Sequence, residues 1–450
     1  MASYIPLTDA ERQKMLEVIG VQSSEELLAG IPKELRGEQL NLPSGLSEIE
    51  LRHLLRDIAG KNETSQTYLS FLGAGAYDHF IPAAVSHLIS RSEFYTAYTP
   101  YQPEASQGTL QVLFEYQSLI CELTGMDVSN ASMYEGASAT AEAALVARNF
   151  TGREEVLVTE SLHPEYRQVL RTYLHGVAPV KEVPFLSEEG TLDLNRLRKS
   201  VDAQTACVIV QNPNFFGCIE DLEKAAVIAH EKGALLVACV NPIALAVLKS
   251  PGECGADIAV GEGQPLGNAL NAGGPYFGFF AVKEFLMRKI PGRIVGETVD
   301  RNGKRAFVLT LQAREQHIRR EKASSNICTN QTLNAIAGCI YLALLGPKGL
   351  QEVANLNIQK SHYACEQLRK TGIFSPRFKG AFFNEFVLQS DAEIDSVYAE
   401  IQKKKILPGL RLKRWYPKLT HCLLVCVTET KLRSQIDRFV THLTQNVSAR

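Results

Sequence analysis

The strongest constraint in this sequence lies between Asn130 and Lys283, where short β-branched, apolar runs alternate with helical patterns. The runs predict strands at Glu155–Thr159, Lys181–Phe185, Cys207–Gln211, Leu235–Val240, Ile258–Gly261 and Tyr276–Val282. Helical segments such as His163–Leu174 and Leu222–Lys232 fall between them, the second closed by Gly233. Strands apolar on both faces and separated by helices need cover on both sides. That pattern predicts an α/β domain with a doubly wound, mostly parallel sheet.

The flanking regions read differently. Thr8 with Glu11, Ser23 with Glu26, and Ser47 with Glu50 match the Ser/Thr-x-x-Glu box that satisfies orphan amides at a helix start. Pro32, Gly37, Pro43 and Gly45 interrupt these segments, which predicts a broken helical arm too small to bury its own core. From Ser106 the run LQVLFEYQSLICELTG predicts a helix interrupted at Gln117 and capped by Gly125. After Gln331 a long helical stretch is hinged at Gly346–Pro347. It is followed by a strand in FFNEFVLQ, a helix near Ile394–Lys403, a strand in LLVCVT and a last helix. The expected division is an N-terminal helical arm over 1–70, a large α/β domain over 71–330 and a small α+β domain over 331–450.

Composition removes several classes of function. A net charge of -2 gives no basic surplus for nucleic acid or an anionic membrane surface. No apolar run approaches the roughly 20 residues of a transmembrane helix. The N-terminus shows neither a secretory nor an Arg-rich transit pattern. The 10 cysteines are scattered without a CxxC pair, so buried thiols in a reducing cytoplasm are expected, with no metal site.

Four segments carry candidate chemistry. In SMYEGASATAEAALVARN, Gly136, Ala137 and Ser138 open an Ala-rich helix and could offer amides and a hydroxyl to a phosphate. The alternative is close helix–sheet packing that needs small residues. Gly73–Gly75 lacks the third glycine and preceding strand of a dinucleotide fingerprint and reads as a turn. Tyr95, Tyr98 and Tyr101, with Glu104 and two prolines, form a stiffened aromatic loop suited to a pocket wall or a packed surface. Arg314, Arg319, Arg320 and Lys322, with His317, form either a solvated face or a site for an anionic group.

The strings YTPYQPEASQGTLQVLFEYQ, NASMYEGASATAEA, LGNALNAGGPYFGFFA and PGRIVGETVDRNGKRAFVLTLQAREQHIRREKASSNICTNQ resemble the glycine decarboxylase P-protein. They are similar to its N-terminal half, which can occur as a separate α subunit. The resemblance implies fold type I of the pyridoxal-phosphate enzymes, with a large α/β domain, a small C-terminal domain and an N-terminal arm. It implies a homologous β subunit as partner, usually in an α2β2 assembly, with the Schiff-base lysine and pyridoxal 5'-phosphate on that partner. It also implies glycine as substrate and the lipoyl arm of an H-protein as acceptor of the aminomethyl group.

Two absences fit a half-site. No lysine lies between Lys249 and Lys283, and the expected lysine neighbourhood reads Gly263, Gln264, Pro265. In fold type I the strand resembling Leu235–Val240 ends in an Asp that pairs with the pyridinium nitrogen, whereas here it reads Ala238, Cys239, Val240, Asn241. Losing both removes the covalent anchor and the charge that makes the ring an electron sink. Tyr95, Tyr98 and Glu104 are then the candidates to complete the partner's pocket, with Arg314, Arg319 and Arg320 as anion ligands. Two rival readings are a self-sufficient decarboxylase using Lys249 or Lys283, and a purely structural or regulatory subunit.

Overall fold

The computed structural model describes residues 7–37, 41–65, 67–271 and 273–448. It divides into one compact unit ending at Thr67 and a second beginning at Tyr68. Positions 1–6, 38–40 and 66 of the expected arm lie outside the described residues.

In the first unit, α1 (Asp9–Ile19) and α2 (Glu48–Ala59) each start at a complete capping box. Thr8 Oγ1 accepts from Glu11 N at 3.2 Å while Thr8 N donates to Glu11 Oε2 at 2.8 Å. The third expected box is corrected: Glu26–Leu28 is one 3₁₀ turn without a side-chain cap. Ser23 contributes its carbonyl to Glu26 N there instead of its hydroxyl. Glu26 is the first residue of that turn and not its third, so the reciprocal bond of a capping box does not form.

The second unit opens with β1 (Leu69–Ser70), then α3 (Ala83–Ile89), α4 (Ser92–Tyr95) and α5 (Gln107–Thr124). The central sheet follows, built from β2 (Val128–Ser129), β3 (Glu155–Thr159), β4 (Val180–Val183), β5 (Thr205–Asn212), β6 (Leu235–Val240), β7 (Ile258–Glu262) and β8 (Gly278–Val282). Its spatial order is β2-β8-β7-β6-β5-β3-β4. The five strands β4, β3, β5, β6 and β7 run parallel, and β8 is antiparallel to both neighbours. The interleaved helices are α6 (Gly136–Thr151), α7 (Pro164–Tyr173), α8 (Leu194–Ser200) and α9 (Leu222–His230).

Strand alternation decides which face each side chain enters. Val156, Val158, Cys207, Ile209 and Val237 pack under α6 and α7 with Ala143, Val146 and Leu170. Leu157, Val208, Val210, Leu236 and Ala238 point the other way, toward Leu113 and Ile120 of α5 and Ala225 of α9. Both faces are covered, as the uninterrupted apolar strands require.

A hairpin of β9 (Ile294–Val299) and β10 (Arg305–Thr310) leads to α10 (Gln316–Arg319) and the long α11 (Thr332–Lys370). Gln117, which interrupts the apolar stripe of α5, has its reason here. Its buried amide exchanges two hydrogen bonds with the Val295 backbone, both at 2.9 Å. Helix α11 breaks at Gly346 (φ 59, ψ -176), just before Pro347. By length and composition it is the one helix, among the described residues, apolar enough to cross a membrane. Its Ala335, Ile336, Ala337 and Tyr341 are buried in the core.

The chain ends with β11 (Ser375–Pro376), β12 (Glu385–Gln389), α12 (Ile394–Gln402), β13 (Ile406–Leu407), β14 (Leu410–Arg411), β15 (Cys422–Cys426) and α13 (Arg433–Ser448). β11, β12, β15 and β14 form a four-stranded antiparallel sheet. β1 pairs with β13, and Phe71 stacks on Phe439 with centroids 4.0 Å apart. The strand that begins this unit is thereby tied to its last layer.

Candidate active site

Open α/β sheets bind ligands at the carboxyl ends of their strands. Here the ends of β5, β6 and β7 present Gln211, Cys239, Asn241 and Glu262, faced by Tyr77, His163 and Glu385. The space they enclose is about 30 Å³. That is far below the ~300 Å³ of small ligand pockets.

The chain's own segment Gly73–Tyr77 closes the cleft. Gln264, where a lysine is expected, accepts from Tyr77 N at 2.8 Å and donates to Tyr77 O at 2.9 Å and Asn268 O at 2.7 Å. Glu385 accepts from Tyr77 Oη and from Ala74 N, both at 2.7 Å. Burial pushes the Glu385 carboxyl up to about 7. The turn at Gly73–Gly75 bends against this carboxyl, and a Cβ on Gly73 would meet Glu385 Oε1 and lie 2.6 Å from Cys426 Cβ. His163 Nδ1 accepts from Glu165 N, so Nε2 carries the proton and donates to Ala74 O at 2.8 Å. Burial lowers the His163 pKa and keeps the ring neutral.

The start of α6 is occupied from within. Ala137 N donates to Glu135 Oε2 at 2.7 Å, and Ser138 N donates to the same carboxylate at 3.0 Å. Gly136 N donates to Glu262 Oε2 at 3.0 Å, and Gln264 N donates to Glu262 Oε1 at 3.1 Å. The Ser138 hydroxyl bonds back to Glu135 O at 3.1 Å. This corrects the expectation that Gly136, Ala137 and Ser138 offer free donors to a cofactor phosphate. All three amides serve carboxylates of the same chain.

Pyridoxal phosphate does not fit this cleft. Volume, phosphate donors and anchor are each missing, and Asn241 at the end of β6 spends its Oδ1 on Ile243 N at 3.0 Å.

A second group of residues is brought together on the surface. Tyr95 and Tyr98 are 68% and 81% exposed, and Glu104 is exposed beside them. Their loop is anchored at Tyr101, whose hydroxyl accepts from Arg293 Nη2 at 3.1 Å and whose ring lies under that guanidinium. The Tyr101 ring also meets His317 edge-on, with centroids 6.3 Å apart. Gln107 fixes the other end by bonds to Phe307 O and Phe307 N at 2.8 and 2.9 Å. The tyrosine loop and the basic segment, separate in the sequence, therefore meet on one surface.

Arg314, Arg319 and Arg320 do not act as one cluster. Arg314 turns inward and donates to the carbonyls of Ile290 and Gly292, and burial lowers its pKa. Arg319 and Arg320 are exposed, with Arg320 at φ 52. The sequence reading missed Arg293, which is 4% exposed and donates to Asn330 Oδ1 and Cys328 O as well as to Tyr101. An arginine between Gly292 and an apolar strand carried the only signal. Glu135 and Glu262 were missed because carboxylates are not expected where a phosphate is sought.

Among solved structures, this fold is shared with a glutamate decarboxylase of Lactobacillus brevis, at TM-score 0.70 and 14% identity over 95% of this chain and 97% of that one. The architecture is that of the fold type I pyridoxal-phosphate-dependent enzymes. A crystal structure of glycine decarboxylase (P-protein) of the glycine cleavage system superposes at TM-score 0.91. It is 43% identical and covers 99% of this chain and 100% of its own. Glycine dehydrogenase (decarboxylating) subunit 1 of Desulfitobacterium hafniense is 54% identical over 441 residues, 97% of this chain and 98% of that protein. The family model for the glycine cleavage system P-protein matches residues 2–443, and the chain belongs to that family.

Proposed function

We propose that this chain is the α subunit of a two-subunit glycine decarboxylase, whose β subunit carries the pyridoxal phosphate. Glycine loses CO2 there, and its aminomethyl group passes to the lipoyl disulfide of an H-protein, which is reduced. The observation that carries this reading is the pairing of a filled cleft with an exposed, firmly anchored aromatic loop. This chain's own cleft holds about 30 Å³ and no lysine, so its chemistry has to be supplied elsewhere. Tyr95 at the end of α4, and Tyr98 and Glu104 on the loop after it, stand outward, and Arg293 and Gln107 hold that loop at Tyr101 and Phe307. Side chains of that kind can orient a substrate in a neighbouring subunit's pocket without reorganising. An α2β2 assembly puts one such loop at each β-subunit site. The free thiols fit a cytoplasmic enzyme.

The test is a reconstituted complex of this chain, the β subunit and lipoylated H-protein. Tyr95→Phe and Tyr98→Phe are expected to lower glycine-dependent CO2 exchange about tenfold, a loss of ~1.4 kcal/mol of transition-state stabilisation. Co-elution of the subunits is expected to stay unchanged, because both rings are exposed. Unchanged exchange with intact assembly would reduce this chain to a structural subunit.

A further inference from the structure

We propose that the carboxyl groups of Glu135 and Glu262 are the resident occupants of the amides at the start of α6 and decide that phosphate-bearing ligands go to the partner subunit alone. The inference rests on the two-subunit reading and adds the residues that enforce its division of labour.

That helix start is intact. Helix α6 is 16 residues long and keeps its first amides aimed at the strand ends, where a helix N-terminus attracts negative charge. Four donors converge on two carboxylates: Ala137 N and Ser138 N on Glu135, and Gly136 N and Gln264 N on Glu262. A phosphate placed there would compete for the same N–H groups and stand against two carboxylates within hydrogen-bonding distance. The Glu135 carboxylate repels a phosphate at that distance, and the Glu262 carboxyl already holds two of the amides that the phosphate would need.

The surroundings are shaped around the carboxylates. Gly136 has no space for a side chain, since a Cβ would meet Tyr166 Oη and lie 2.8 Å from Glu262 N. Tyr166 and Cys239 line the same cleft as Glu262. Burial, with the nearby Glu135 charge adding to it, raises Glu262 to about 8, against the lowering effect of the Gly136 and Gln264 amides. The two carboxyls thus divide four amides between them. A dianionic ligand has no comparable accommodation. Absence of a lysine alone would leave the amides at the start of α6 open to a phosphate group without covalent attachment. The carboxylates close that route too.

The experiment uses the full chain alone and inorganic phosphate as the probe, followed by thermal melting and by isothermal titration. The wild-type chain is expected to show no saturable response. The double variant Glu135→Ser/Glu262→Gln keeps a good helix N-cap and removes both carboxyl groups. It is expected to bind phosphate at least about a hundredfold more tightly than wild type. Glu135→Gln, nearly isosteric, serves where the double variant does not fold, and is expected to gain about tenfold. Saturable phosphate binding by wild type at the affinity of the variants would overturn the proposal, as would a folded Glu135→Gln or double variant with no gain. The readout involves no turnover, so it can fail while the shared-site function stands, and the tyrosine variants can fail while this result stands.

Discussion

Arg293 and Tyr101 are joined twice: Nη2 donates to the phenol oxygen at 3.1 Å, and the guanidinium carbon stands 5.4 Å from the ring centroid. The same side chain donates to Cys328 O at 2.6 Å and Asn330 Oδ1 at 3.1 Å. One buried cation therefore ties the aromatic loop to the segment that follows the basic run. Lysine keeps the charge but not the planar fork that reaches three acceptors. Arg293→Lys is expected to cost about 2 kcal/mol of stability by urea denaturation, two net hydrogen bonds' worth. It is also expected to lower CO2 exchange in the reconstituted complex. Wild-type exchange would mean that the partner, not Arg293, positions the loop.

Gly73 bends the chain against Glu385 and Cys426 with no room for a Cβ. Replacing it by Ala overpacks a site where Phe71 is already fully buried. The expected loss is about 2 kcal/mol, read as a lower urea midpoint. An unchanged midpoint would show that the Gly73–Tyr77 segment can lift away from the cleft at little cost.

Much of this was legible in the sequence because it is written in periodicity. The parallel strands, the Gly125 cap (φ 67) and the break at Gly346 all follow from local residue chemistry. The two-residue β2 and the β9–β10 hairpin were not legible, since their pairing depends on partners distant in the chain. The interruption at Gln117 looked like a defect until Val295 supplied its partner. At the site, the missing lysine was readable as an absence, but its replacement was not. Gln264 engages Tyr77 across 187 positions, and no local pattern encodes that. Tyr101 and His317 are likewise joined only by the fold.

Stability should fall as pH rises through neutrality. Glu142, Glu220 and Glu385 are each raised to about 7 by burial. A folded-state pKa above the unfolded value of about 4.5 means that the native state holds the proton more tightly. Each group's contribution is complete below pH ~4.5 and is lost as pH rises through ~7. For Glu385 the loss amounts to about 3 kcal/mol. Glu385→Gln is therefore expected to flatten the fall in urea midpoint between pH 5 and 8. An equally steep fall in the variant would assign the dependence to other groups.

Covalent trapping of the cofactor separates a half-site from a self-sufficient enzyme. A lysine that attaches an aldehyde needs a neutral, reachable amine at the cleft. Lys249 is exposed and paired with Glu223, which raises its pKa and keeps it charged. Lys283 spends its ammonium on Gly125 O at 2.8 Å, at the far end of β8 from the cleft. Neither residue lines the closed site below β5, β6 and β7. Incubating this chain alone with pyridoxal phosphate and reducing with borohydride is expected to leave no stoichiometric adduct, only scattered labelling of exposed lysines. A single lysine modified in full would give this chain an anchor of its own and make it a complete enzyme. With the β subunit present, the label is expected on the partner, and CO2 exchange to appear only when both chains and the H-protein are combined.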